Sequence, residues 1–315
     1  MSQSTNNVYP TANHISILRH LSRLENTMIA LKDTFVKKGQ ELDDVIKMGR
    51  THLQDAVPIR LGQEFKSYSS LLERDLTRVK RLYKPLLEIN IEATAVGTGL
   101  NANSSYVDKV VETLQKSTDY KFIRTTNLID ATQNTDAYTQ IYPVLKICMT
   151  NMSKIANDLR LMASGPRAGL NEISIPSVQP GSSIMPGKIN PVICEVVNQT
   201  AFQVIGNDQT VMMASESGQF ELNVMEPVLF YNIQQSLHVT NQVLDRFNKY
   251  CIKGIQANTS VCKSYVENSI GTITAINPHI GYEKASSIAK EALPNNKSIK
   301  EIILRDNTIS EEYLK

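Results

Sequence analysis

The sequence predicts an all-α fold, a bundle of long helices followed by a small helical C-terminal domain, and three observations predict it. Apolar residues recur over long stretches in alternating steps of four and three, the spacing of a helical seam that faces a packed core. Period-two alternation is nearly absent, so strands are not expected to carry the architecture. Gly, Pro and polar residues gather in clusters between the seams, where they mark loops.

The first helix opens near Pro10, a residue suited to a first helical turn, and carries Ile17, Leu21, Leu24, Met28, Leu31 and Phe35 on one side. Gly39 stands where it could interrupt or end that helix. The run Gly49 to Pro58 breaks the pattern with Gly, Pro and a polar cluster. A second helix is predicted from Leu61 to Ala93, with Phe65, Tyr68, Leu72, Val79, Leu82, Leu86 and Ile89 on one side and a kink at Pro85. Gly97-Thr98-Gly99 ends it. A short helix follows over 104–118, then an irregular connection over 119–135. The cleanest seam comprises Ile141, Leu145, Cys148, Met152, Ile155, Leu159 and Met162, and stops at Ser164-Gly165-Pro166. A loop then runs to Pro191, and helices are predicted over 192–213 and 226–251. The last segment, with short helices, an Asn277-Pro278 break and a surface rich in Lys and Asn, is expected to form a separate domain over 257–315, after a central bundle over 1–256. Helices this long and sparsely capped suggest packing against other copies of the chain.

Composition excludes several classes. The 315 residues carry 33 basic and 31 acidic side chains for a net charge of +2, with no basic run of the nucleic-acid-binding kind. The four cysteines sit in apolar helical patterns without C-x-x-C spacing, so they read as reduced core residues of a cytoplasmic protein. The five histidines form no H-E-x-x-H pair, and no protein-held metal is expected. The polar start Met1 to Asn6 shows no signal-peptide pattern, and no apolar run is long enough to span a bilayer.

The candidate chemistry lies in three polar islands, Ser4-Thr5-Asn6, Thr51-His52-Leu53-Gln54-Asp55 and the loop Gly181-Ser182-Ser183-Ile184-Met185-Pro186-Gly187-Lys188-Ile189-Asn190-Pro191. The loop is not a phosphate-binding motif: five residues separate Gly181 from Gly187, and Ile189 stands where a Ser or Thr would be needed. Its glycines leave backbone N–H groups uncovered, and those amides with Lys188 can stabilise a serine alkoxide. The loop also precedes a helix N-terminus, where anions are favoured. Hydroxyls and amides in separate groups suit a ligand with two carboxylates. His52 reads either as a structural histidine before a turn or as a proton relay. Glu195, one turn into the following helix, is an acid that could orient it or simply one that favours a helix N-terminus.

The 181–191 run resembles the signature of the aspartase/fumarase superfamily. Met1-Ser2-Gln3-Ser4-Thr5-Asn6, Gly49 to Ala56, Leu61 to Phe65 and Gly97 to Asn101 fall in that family's order, so the resemblance covers essentially the whole chain. Asp55 to Pro58, Gly165 to Ile173, Pro191 to Gln199 and Val204 to Asp208 are more similar to its aspartate ammonia-lyase branch than to its fumarases. The resemblance implies a reversible elimination of ammonia from L-aspartate to give fumarate, without a cofactor. It implies Ser182 as the base at Cβ, Ser183 and Thr5, with Ser4 beside them, at the β-carboxylate, and Lys188, Asn190 and Thr51 at the α-carboxylate. Asn6 and His52 would face the amino group, with Glu195 polarising His52. It also implies a homotetramer whose sites each gather loops from three subunits. The alternatives are a fumarate hydratase and a non-catalytic truncated paralogue. Family members carry an N-terminal domain ahead of the Ser2-to-Asn6 segment, and this chain is expected to lack it. On that expectation Ser4, Thr5 and Asn6 would fray, apolar surface would be exposed, and activity would be crippled.

Overall fold

The structure, a computed structural model, describes residues 2–295 and 298–306. In chain order its elements are helix α1 (Thr5–Glu41), strands β1 (Ile46–Thr51) and β2 (Gln54–Arg60), α2 (Leu61–Arg81), the one-turn α3 (Tyr83–Leu86), β3 (Glu88–Ile89), α4 (Ser104–Thr118) and β4 (Ile123–Arg124). The one-turn helices α5 (Asp130–Gln133) and α6 (Asp136–Thr139) precede α7 (Ile141–Met162), β5 (Ile173–Ser174), α8 (Val192–Glu216), α9 (Glu226–Tyr250) and β6 (Gln256–Ala257). The chain closes with α10 (Thr259–Asn268), α11 (Ile273–Ile280), α12 (Tyr282–Asn295) and α13 (Ile299–Arg305). Helices dominate, as the seams predict. No described helix is long and apolar enough to cross a membrane.

Two compact units are present, each assembled from three stretches of chain. The first comprises Met1–Asp33, Ser70–Asn157 and Val192–Tyr250. Its seam residues Ile17, Leu21, Leu24, Met28, Leu31, Ile141, Leu145, Cys148, Met152, Ile155, Leu229, Ile233, Leu237, Leu244 and Phe247 are all fully buried. Helices α8 and α9 pack along each other. Polar ties fix the register of these helices: the Thr27 hydroxyl donates to Asn241 Oδ1 at 2.7 Å and Gln234 Nε2 to Asn13 Oδ1 at 2.6 Å.

The second unit comprises Thr34–Ser69, Asp158–Pro191 and Cys251–Lys315. Phe35, Phe65 and Tyr68 form an aromatic cluster in it, Tyr68 meeting both phenylalanines edge to face. Gly39 does not end α1; it lies where α1 and α2 meet backbone to backbone. A Cβ on Gly62 would sit 2.3 Å from the Gly39 carbonyl oxygen, so neither helix tolerates a side chain there. Ile288 and Ala292 of α12 and Ile299, Ile302 and Ile303 of α13 build a small core of their own, with Ile273, Ile276 and Ile280 of α11 packed against it.

Four local expectations are corrected. The predicted helix from Leu61 to Ala93 stops at Arg81: Pro85 has no N–H for the Arg81 carbonyl, and the chain breaks there rather than kinking. Val79, Leu82, Leu86 and Ile89 are nevertheless buried, so the apolar pattern was sound while its conformation was not. The break from Gly49 to Pro58 is an antiparallel hairpin, pairing Ile46 with Arg60 and Thr51 with Gln54. Pro10 lies inside α1 rather than at its start. Its missing N–H leaves the Asn6 carbonyl without a helical donor, and Asn90 Nδ2 reaches that oxygen at 3.4 Å. Pro278 likewise sits within α11, which ends at Gly281, a residue with φ of 80°.

Candidate active site

The loop 181–191 is held by its own atoms. The Gly181 N–H donates to the Lys188 carbonyl at 3.0 Å, and Asn190 Nδ2 donates to the Gly181 carbonyl at 2.7 Å. The two chain ends approach so closely that a Cβ on Gly181 would fall 2.1 Å from the Lys188 oxygen. Inside this closed loop the Ile184 and Met185 N–H groups donate to Ser182 Oγ, at 3.2 and 3.1 Å. Two backbone dipoles therefore converge on one hydroxyl oxygen and favour its charged form. Ser182 is half-buried, whereas Ser183 and Lys188 are exposed, and the Lys188 ammonium pairs with no carboxylate among the described residues. A cleft of about 440 Å³ borders the Pro186-to-Ile189 side of the loop, with Asn171 and Ser174 also lining it.

Thr51 and His52 stand at the tip of the β1–β2 hairpin, and both are exposed. The turn contains two residues, His52 at φ 54° and Leu53 at φ 61°. Paired left-handed residues match the twist of a hairpin, but the conformation normally falls to Asn and Gly and is strained for leucine. None of the hydrogen bonds joins Thr51 or His52 to the 181–191 loop among the described residues. Below the tip, Arg50 and Asp55 are register partners. Arg50 Nη1 donates to Glu172 Oε1 at 2.7 Å, and the Ser269 hydroxyl donates to Asp55 Oδ2 at 2.7 Å.

Ser4, Thr5 and Asn6 open α1 in the first unit. Ser4 Oγ accepts from the Asn6 N–H at 3.2 Å, and Asn7 Oδ1 accepts from the Ser4 N–H at 3.1 Å. Ser4 therefore caps the helix in a reciprocal box. Asn6 Nδ2 donates to the Ala95 carbonyl at 2.7 Å, which leaves Asn6 Oδ1 as the side chain's outward acceptor; the Thr5 hydroxyl donates to it at 3.3 Å. Glu195 is half-buried in the first turn of α8, also in the first unit. The predicted residues thus fall into four local groups: three at the start of α1, two at the hairpin tip, four on the loop and one on α8. Among the described residues no three His, Cys, Asp or Glu side chains are placed to hold a metal ion.

A lyase family model matches residues 1–206, and a model of the fumarase C C-terminus matches residues 273–315. The chain belongs to this lyase family. Within it, the aspartate ammonia-lyase of Bacillus subtilis (strain 168) is 58% identical over 314 residues, covering 100% of this chain and 66% of the relative. The aspartate ammonia-lyase of Helicobacter pylori (strain ATCC 700392 / 26695) is 50% identical, covering 99% and 67%. A crystal structure of a fumarate lyase:delta crystallin from Brucella melitensis bound to cobalt superimposes with a TM-score of 0.95 at 43% identity, covering 100% of this chain and 68% of that one. A class II fumarase from Schistosoma mansoni superimposes with a TM-score of 0.91 at 31% identity, covering 99% and 69%. The chain spans about two thirds of the length of the curated relatives it matches.

One pair of residues behind the site escaped sequence reasoning. Arg50 and Glu172 are 122 positions apart, and neither lies in a periodic pattern. Both lie in segments that resemble the family, Gly49 to Ala56 and Gly165 to Ile173, but nothing in either segment pairs one with the other.

Proposed function

We infer that the chain carries the chemistry of an aspartate ammonia-lyase, the reversible anti-elimination of ammonia from L-aspartate to fumarate. The observation that carries this reading is the pair of backbone N–H groups on Ser182 Oγ. A serine removes a carbon-bound proton only as an alkoxide, and two fixed amide donors favour that form. In this scheme Ser182 Oγ takes the proton from Cβ, and the electron pair left behind delocalises into the β-carboxylate. That pair then forms the Cα–Cβ double bond as the C–N bond breaks and ammonia leaves. Charge peaks on the carboxylate between these steps, so donors fixed there before the reaction stabilise it most.

Ser183 and Thr5, with Ser4 beside them, are assigned to the β-carboxylate. Lys188, Asn190 and Thr51 are assigned to the α-carboxylate, a clamp in which the unpaired Lys188 ammonium supplies the charge. Asn6 and His52 face the amino group, for which the outward Oδ1 of Asn6 is the right kind of atom, an acceptor with a second lone pair beside the one that takes the Thr5 hydroxyl. Glu195 polarises His52. Identity to several aspartate ammonia-lyases supports the choice of substrate.

The assembly in this reading is a homotetramer with sites shared between subunits. The outer faces of α8 and α9 support it, since Phe202, Met213 and Tyr231 are each at least 60% exposed. An apolar face of that kind marks a surface that other protein covers. A cytoplasmic location is consistent with four buried cysteines that form no disulfide.

The test is fumarate release from L-aspartate, followed in the ultraviolet, with L-malate as the competing substrate and Ser182→Ala as control. Fumarate from aspartate alone, lost by on the order of a thousandfold or more in Ser182→Ala, is the expected result. Fumarate from malate alone would make the chain a hydratase, and no product from either would favour the non-catalytic reading.

A further inference from the structure

The hairpin tip that bears Thr51 and His52 has a mechanical problem. Both of its turn residues are non-glycine and left-handed, at φ 54° and 61°. Strain of this kind persists only where the surroundings over-determine the conformation. Within its own chain the tip has no packing to do that, because Thr51, His52, Leu53 and Gln54 are all exposed and Leu53 is 70% so. The constraint must come from below.

Directly below lies a four-membered ion cluster, buried except for the half-buried Glu64. The Glu172 side chain is fully buried, Lys47 is 4% exposed and Arg50 15%. Arg50 Nη1 donates to Glu172 Oε1 at 2.7 Å, and Lys47 Nζ lies 3.0 Å from Glu172 Oε2 and 3.1 Å from Glu64. Two cations face two carboxylates, so the cluster is neutral as a whole. The guanidinium also sits over the Tyr265 ring, 5.6 Å from its centre. Glu172 is itself immobilised through its backbone: its N–H donates to the Met162 carbonyl at 2.8 Å, and its carbonyl accepts from the Asn258 N–H at 2.9 Å.

We propose that Glu172 is a positioning residue for the proposed reaction, fixing the strained Thr51–His52 tip through Arg50. This rests on the assignment of Thr51 and His52 to the site. A buried ion pair contributes little net stability compared with apolar residues of similar volume, but it specifies one geometry for the groups it joins. Here the joined group is the last strand residue before Thr51. Its cross-strand partner Asp55 is held separately by Ser269, so both legs of the hairpin are anchored at one level.

The test separates anchoring from charge balance. Glu172→Gln alone leaves an uncompensated buried cation and is expected to lower Tm. Arg50→Gln with Glu172→Gln removes one charge of each sign and is expected to recover most of that loss. The decisive readout is the His52 resonances in protein carrying isotope-labelled histidine, assigned with a His52→Asn variant. In the folded double variant the His52 amide is expected to broaden or split and to exchange with solvent about tenfold faster or more, while His14 stays as in the wild type. Turnover, where the wild type shows it, is expected to fall about tenfold or more, with the loss in kcat exceeding the change in KM. A folded double variant with wild-type His52 resonances and exchange would overturn the proposal. The spectrum is read without substrate, so a wild type that makes no fumarate would count against the proposed function and leave the positioning test intact.

Discussion

The two parts of the candidate site in the second unit hold their shape in opposite ways. The 181–191 loop is closed by its own atoms, with Asn190 and Lys188 both bonded to Gly181 and two loop amides on Ser182 Oγ. The hairpin tip makes almost no such bonds and is held from beneath, where Arg50 and Asp55 meet Glu172 and Ser269. A self-closed loop fails when one of its own atoms is displaced. An anchored tip tolerates change at its apex and fails when a residue far away in sequence is lost.

The most severe way to break the comparison is Gly181→Ala. Its Cβ would meet the Lys188 carbonyl at 2.1 Å, so the loop must open and the amides leave Ser182. Activity is expected to fall by about 10²–10³-fold, the scale of losing an oxyanion donor, while Tm changes by no more than a few degrees, because the loop is largely exposed. Steady-state kinetics beside a thermal melt checks both parts.

A buried group with neither support gives the contrast. Glu226 is 7% exposed and makes no ion pair among the described residues, and burial raises its pKa from 4.5 to about 7. The folded state then binds more protons than the unfolded state between these two values. Stability from this group is fully present below about 4.5 and is lost as pH rises through 7. Glu226→Gln is expected to remove that decline and to stabilise the protein at pH 8 by about 2–3 kcal/mol, read from denaturant melts across pH. His14, buried beside Tyr138 with its pKa lowered from 6.5 to about 4, acts with the opposite sign. Its contribution is present above 6.5 and is lost as pH falls toward 4, and it remains in the variant.

Smaller changes sharpen the contrast. Asn190→Ala removes one loop-closing bond and one contact assigned to the α-carboxylate but leaves the Gly181 N–H bond to Lys188, so a loss of activity of roughly tenfold to a hundredfold with unchanged fold is expected. Leu53→Gly relieves a strained apex residue. It is expected to stabilise the protein by about 0.5 kcal/mol, net of the chain entropy glycine adds, with turnover nearly unchanged because the anchors remain. A calorimetric Tm that falls instead would show that the apex, not the base, holds the tip.

Legibility followed the range of the interactions. The α7 seam from Ile141 to Met162 could be read directly, because a helix repeats its core contact every three or four residues. The hairpin could not: its ladder shifts register between Met48 and Arg50, Gly49 and Pro58 read as breakers, and neither strand alternates cleanly in burial. Pro85 was visible, but whether it kinks or ends a helix depends on what the freed chain finds next, here the β3–β4 pairing of Glu88 with Ile123. In the site, loop composition suggested an anion cradle, whereas the roles of Ser182 and His52 came from family resemblance and not from spacing. The bond from Arg50 to Glu172 spans 122 positions, and no local pattern encodes a partner so distant.

The most direct test of Ser182 as the base is to run the reaction backwards in deuterium oxide. With fumarate and ammonia, the wild-type chain is expected to form aspartate carrying one deuterium at Cβ, and Ser182→Ala to form none above background. Deuterated aspartate from Ser182→Ala at the wild-type rate, or none from the wild type itself, would contradict the account.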